Sequence, residues 1–572
     1  MNRFDRPTFA GCATALALVI AGTAHAQDAP RADRLFLHGN VITPDGVAQA
    51  VAVRGKAIVA VGSDADVLAL PHDGAEVVDL SGRTLMPGLY DMHVHVFMAG
   101  QDKLSCKLPQ GAGVKAIAAA VRACAGKAEP GEWIIGGSWV GAAFPPGEQT
   151  RKALDAAAPN NPVLLNDEAL HSVWVNSRAL ALAGVTRATP DPQGGRIDRD
   201  ARGEPTGVLR ELATRLVEDK APAPGVEAQV AAVKAASDEM LSYGIVGFTD
   251  AAVRKANVEG LSRYAKAGGL KQHARGCVVW GPNSVGSEGL VAQRQALSGG
   301  NLRLDCVKLF LDGVPTESRT GAMIEPYAAG AGAHAHGDAH DNERGMLLIA
   351  QAELNALVTG FDRQGLEVKF HAAGDGATRA AVDAIAAARA ANGFAGPRHE
   401  VGHNTFIAPA DLARAAGLGF AWEFSPYIWW PTPITSVDIA RAVGAERMKR
   451  LWPIREGLDS RALVVSGSDW PVVPSVNPWL AIETMVSRQA PGATGPTEGE
   501  AERITRAEAI TIFTRNGAAL MGRLDRGGTI EVGKEADLIV LDRDPLTAPL
   551  GQIHDTRVLE TYIGGERVYR RE

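Results

Sequence analysis

Apolar and polar positions change their period twice along the chain. From 32 to 84 they alternate in short runs, RLFLHGNVI, AVAVRGKAIVAVG and AEVVDLSGRTLMPG, separated by glycines and polar residues. A period of two with glycine punctuation predicts half-buried β-strands. The C-terminus returns to that pattern in ADLIVLDRDP and TRVLETYIGGERVYR. Strands at both ends with no partner close in sequence predict one small β-sandwich built from 27–84 and 526–572. Between them, 85–525, the period lengthens. Short apolar strands (GIVGFTDA, LDCVKLFLDG, LEVKFHAAGD, ALVVSGSDWP) alternate with Ala-rich helical stretches such as AVDAIAAARAAN and RAEAITIFTRNGAALMG. Repeated βα units over that length predict an α/β fold, a (β/α)8 TIM-like barrel. The stretch from about 101 to 240 is expected to form an inserted subdomain.

Chemistry in such barrels gathers at the C-terminal ends of the strands, and polar residues stand there. LMPGLYDMHVH ends in His93 and His95, LEVKFH in His371, and ALVVSGSD in Asp469; His403 lies in RHEVGHN. Residues i and i+2 of a strand share a face, so His93 and His95 sit about 6–7 Å apart along it. They can close on one ion where the strand end bends, although two partly buried histidines with local hydrogen bonds fit the same pattern. Lys308, inside CVKLFLDG, is costly in an apolar strand unless paired. It is either an amine reactive toward CO2, giving a carbamate that can bridge two cations, or a snorkelling or Asp312-paired lysine. Lys369, two residues before His371, is a rival for that role. His334, His336 and His340 stand in a Gly- and Ala-rich stretch read as a loop over the site mouth. Trp139, Trp174, Tyr427, Trp429 and Trp430 either line an apolar pocket or pack in the core. Arg319 either meets a substrate carboxylate or pairs with Glu317 or Glu325.

Composition narrows the function classes. The 572 residues carry a net charge of −7, with no basic footprint for nucleic acid. Residues 1–26 combine Arg3 and Arg6, an apolar stretch and Ala24-His25-Ala26. That is the layout of a secretory signal cleaved after Ala26, so export to a periplasm is expected, with no membrane span in the mature chain. Beyond the signal there are four cysteines and no CxxC pair. A Cys106–Cys124 disulfide suits an oxidising compartment, and Cys277 and Cys306 are expected as buried thiols.

Eight motifs in order carry a family resemblance: PGLYDMHVH, LHSVWVNSRALALAG, TPDPQGGRIDRDARGEPTGVLRE, VKLFLDGVPTESRT, FHAAGDGATR, RHEVGHN, SGSDWPVVPSVNP and GGTIEVGKEADLIVLDRDP. Through them the chain resembles the amidohydrolase superfamily, in the family 3 branch that includes N-substituted formamide deformylases. The resemblance implies a metal-bearing barrel flanked by a β-sandwich. It implies that His93, His95 and Asp469 bind one divalent ion and that His371 and His403 bind a second, with a carbamylated Lys308 between them. One or two ions are expected, zinc by the N/O donor set. Gly402 stands where the family often has Glu, and Lys369 where an apolar residue is expected; both leave a one-ion site open.

The function implied is hydrolysis of a non-peptide C–N bond, of amide or formamide type, by a metal-activated water. Asp469 would act as general base and then acid, and His171 would hold the developing oxyanion. Lyase or isomerase chemistry on the same barrel, or a non-catalytic periplasmic binding protein, are the alternatives. The expected partner is a small molecule, with an aromatic or apolar group as one option. A homodimer is left open.

Overall fold

The computed structural model describes residues 31–572 except 110, 141–143, 145–147, 168–171, 193–194, 223, 282–287, 317–318, 329–342 and 474. Eight parallel strands form the central sheet. Numbering only these, they are β1 (Leu89–Val94), β2 (Ile245–Val253), β3 (His273–Trp280), β4 (Leu302–Phe310), β5 (Glu367–Ala372), β6 (Glu400–His403), β7 (Ala421–Phe424) and β8 (Leu463–Ser466). Each pairs with its neighbour in sequence order, and a parallel bridge between Val94 and Trp470 brings the last strand back to the first. β1 and β2 are buried along their whole length, as strands covered on both faces must be. Helices such as Gln351–Arg363 and Asp375–Asn392 cover the outside.

The termini fold together. A four-stranded sheet holds Ala57–Gly62, Ala50–Arg54, Arg34–Leu37 and Glu76–Asp79 in that order. A six-stranded sheet runs Glu566–Arg570, Val558–Ile563, Leu538–Leu541, Thr84–Pro87, Asn40–Thr43 and Gly46–Ala48. Leu538 pairs with Pro87 and Val540 with Leu85, so strands from the two ends of the chain share one ladder. Phe36, Val51, Ile58, Leu85, Leu538, Val540 and Tyr562 fill the space between the sheets; Phe36 meets Tyr562 edge-on, ring centroids 5.1 Å apart. This is the sandwich that the terminal alternation predicts.

Between β1 and β2 the chain builds another six-stranded sheet, ordered Gly195–Arg199, Pro205–Glu211, Ser172–Val175, Val163–Asp167, Ile134–Trp139 and Cys106–Lys107. Cys106 at its edge is joined to Cys124 on the helix Val114–Ala125 by a disulfide. One expectation is corrected. Cys277 and Cys306 are not free thiols but a second disulfide. They lie directly opposite each other in the β3–β4 register, Cα atoms 4.2 Å apart, and that register is not visible in sequence.

Candidate metal centre

The C-terminal rim of the barrel gathers the histidines. His93 is the fifth residue of β1, and His95 follows the strand end. Asp469 follows β8, its N–H donating to the His93 carbonyl at 2.7 Å. His95 Nε2 lies 3.1 Å and His93 Nε2 3.5 Å from Asp469 Oδ1. Ligand atoms from these three residues all fall within 4.8 Å of one another. His403, ending β6, sets its ring edge-on to that of His93, centroids 4.8 Å apart, and tilted against that of His371 on β5 at 4.2 Å. His403 Nδ1 is 3.9 Å from Asp469 Oδ2. Four imidazoles and one carboxylate thus converge from β1, β5, β6 and the turn after β8. His403, Asn404 and Asp469 hold positive φ angles of 70°, 46° and 59°. Non-glycine residues in that region cost about 1–3 kcal/mol each and cluster at functional sites.

Carboxylates behind the imidazoles orient them. Glu423 Oε2 lies 2.8 Å from His93 Nδ1, and Asp312 Oδ1 lies 3.0 Å from His371 Nδ1. In each case the remaining Nε2 is left to coordinate. Asp312 also accepts the backbone N–H groups of Ala322, Ala373 and Gly374, so it is not the partner of Lys308. Asp91 accepts the N–H groups of His93 and Ser468, both at 3.0 Å, tying β1 to the β8 turn; burial raises its carboxyl to about 6. Burial, reinforced by Lys308, holds the His93 imidazole well below its ordinary range. Burial and the neighbouring His371 do the same for His403. Both rings are neutral at neutral pH, the form that binds metal.

The two buried lysines separate clearly. Lys308 and Lys369 face each other in the β4–β5 register. Lys369 is paired with Glu400, lies 3.5 Å from Glu423, and donates to the Met92 carbonyl at 3.0 Å. Lys308 is fully buried, and its Nζ has no hydrogen-bond partner among the described residues. Burial first, then the charge of Lys369, pushes its amine down to about 7. His95 Nδ1 and His403 Nε2 are also buried without a hydrogen-bond partner among the described residues. Imidazole nitrogens of His93 and His95 that converge on the Asp469 carboxylate are a donor set that fits a bound divalent cation.

His171 and the His334, His336 and His340 stretch lie outside the described residues. Trp139 and Trp174 pack in the core of the inserted sheet. Trp429 stacks on Trp452 at 5.2 Å beneath the Arg488 guanidinium, Tyr427 is buried beside it, and only Trp430 is part-exposed. Arg319 lies over the Tyr327 ring, 5.9 Å from its centroid. Sequence reasoning missed Glu423, Asp312 and Asp91 as partners of the histidines. A second cluster, His273, Glu535 and Asp537, sits at the start of β3. Arg523 reaches into it, 2.9 Å from His273 Nε2, and already supplies the cation.

A parallel eight-stranded barrel with histidines and an aspartate at its C-terminal rim is the frame of a metal-dependent hydrolase. Residues 76–569 match the amidohydrolase family model, and the chain belongs to that family. It is 30% identical over 563 residues to the N-substituted formamide deformylase of Arthrobacter pascens, covering 94% of this chain and 98% of the relative. It is also 30% identical over 559 residues to the protein LONG AFTER FAR-RED 3 of Arabidopsis thaliana, covering 94% and 92%. A metal-dependent hydrolase of Pyrococcus horikoshii superposes with a TM-score of 0.72 at 22% identity, over 91% of this chain and 99% of that one. That likeness supports the fold.

Proposed function

We propose that this hydrolase cleaves a non-peptide carbon–nitrogen bond in a small amide or formamide, with Asp469 as the proton carrier. The observation that carries the proposal is the meeting of His93, His95 and Asp469 at one point on the barrel rim. The relative from Arthrobacter pascens, an N-substituted formamide deformylase, supports the bond type. His93, His95 and Asp469 would hold one divalent ion, zinc by the donor set; His371 and His403 would hold a second, with Lys308 as a carbamate between them. The bound metal supplies Lewis acidity, which makes water a nucleophile near neutral pH and polarises a carbonyl.

The chain's own groups handle the protons. Asp469 accepts a proton from the attacking water, the water oxygen bonds to the carbonyl carbon, and the C–N bond breaks as Asp469 returns the proton to the leaving nitrogen. A formamide would give formate and an amine. His171 is proposed to steady the carbonyl oxygen. The unpartnered Nζ of Lys308, lowered toward neutrality, is suited to CO2 capture because a free amine is the reactive form. The two disulfides fit the proposed export to an oxidising compartment.

The test is a panel of N-substituted formamides, linear amides and lactams, assayed with metal-replete protein in labelled water. Incorporation of one labelled oxygen into the acid product supports the proposal. No turnover across the panel, or a product without the label, would sink it.

A further inference from the structure

We infer that Glu423 is the residue that positions His93 for metal, and that Gly402 is a glycine in order to admit it. The inference rests on the metal-site reading above and deepens it. Glu423 lies on β7, beside β6, where Glu400 pairs with Ala421 and Val401 with Trp422. Its carboxylate does not stay on its own strand. A Cβ placed on Gly402 would stand 2.3 Å from Glu423 Oε2, so the carboxylate passes through the volume that any other side chain at 402 would occupy. From there Oε2 reaches across the barrel to His93 Nδ1 at 2.8 Å.

The far side of His93 is closed in the same manner. A Cβ on Gly467 would stand 2.2 Å from His93 Cβ. His93 is therefore seated between a glycine that lets it approach β8 and a carboxylate that another glycine lets through. Glu423 is fully buried and is itself fixed by Ser425 Oγ at 3.2 Å and Lys369 Nζ at 3.5 Å. A carboxylate accepting Nδ1–H selects the tautomer whose Nε2 carries the free lone pair. That Nε2 is the atom facing Asp469. Lys369 keeps Glu400 as a partner when Glu423 is removed, so truncating Glu423 does not strand a buried charge.

The test is a metal-competition titration against a chromophoric chelator, with zinc as the probe, on the full chain and on Glu423→Ala, Glu423→Gln, Gly402→Ala and the Gly402→Ala/Glu423→Ala double variant. Circular dichroism of each stripped protein checks folding. Losing a partner of this kind weakens metal binding about 10- to 100-fold, and that loss is expected for Glu423→Ala and for Gly402→Ala. Glu423→Gln, whose amide oxygen still accepts Nδ1–H, should recover most of it. The double variant should bind about as weakly as Glu423→Ala alone, because both changes act through one hydrogen bond. If Gly402→Ala fails to fold, the comparison of Glu423→Ala with Glu423→Gln decides. Zinc affinity unchanged in Glu423→Ala, or no recovery by Gln, overturns the inference and leaves the proposed function standing. A wild-type chain that binds no zinc overturns both.

Discussion

Lys308 is a case where the site works against the fold, and the cost can be worked out. Its amine is buried beside Lys369, with no hydrogen-bond partner among the described residues. In the metal-free protein its pKa falls from the ordinary 10.5 to about 7. A base whose folded pKa is depressed binds fewer protons in the folded chain than in the unfolded one. The penalty is therefore complete below about pH 7 and fades as pH rises toward 10.5. At one pKa unit per 1.36 kcal/mol, it comes to about 5 kcal/mol below neutrality and about 4 kcal/mol at pH 7. Lys308→Met keeps most of the volume and removes the charge, and imperfect packing of the new side chain returns about 1 kcal/mol of the gain. Metal-stripped Lys308→Met should thus be more stable than the stripped wild type by about 3 kcal/mol at pH 7, with the gap narrowing by pH 9. Urea unfolding after chelation, at both pH values, measures this. A less stable variant, or a gap that does not shrink with pH, would mean that the buried Lys308 amine carries no such penalty.

Other consequences are equally direct. Asp469→Asn should leave the barrel folded and lower turnover on any accepted amide about 10²- to 10⁴-fold, the usual contribution of a proton-transfer residue; steady-state kinetics on the metal-replete variant checks it. Cutting the Cys106–Cys124 bridge, whose partners are 18 residues apart, should cost about 3 kcal/mol by loop entropy, seen as a lower melting temperature for Cys124→Ser. Trp429→Ala should cost about 3–5 kcal/mol, because the indole is fully buried against both Trp452 and Arg488; denaturant titration reports it.

The terminal sandwich was legible because its strands alternate visibly, and the order of the barrel strands follows the order of apolar runs in the chain. His93, His95, His371, His403 and Asp469 were legible because each stands at or just past the end of an apolar strand, and a barrel brings strand ends together. What lies behind them was not. Glu423 sits in the apolar run AWEF, 330 positions from the histidine it orients, and nothing local distinguishes it from a solvent-facing residue of a strand. Gly402 read as the loss of a partner because the space it opens is visible only once β7 is laid beside β6. The choice between Lys308 and Lys369 likewise turned on Glu400 and Glu423, which bracket one amine and leave the other bare. The Cys277–Cys306 bridge depended on a strand register that periodicity does not report.

His93, His95 and Asp469 are proposed to form a working metal site. Elemental analysis of metal per chain, on protein purified without chelator, tests it most directly when wild type and a His93→Ala/His95→Ala variant are compared. One or two divalent ions per wild-type chain are expected, with a loss of at least one in the folded variant and, by intact mass, a carbamate on wild-type Lys308 when both sites are filled. A folded wild-type chain without bound divalent metal, or equal metal in the two proteins, would contradict it.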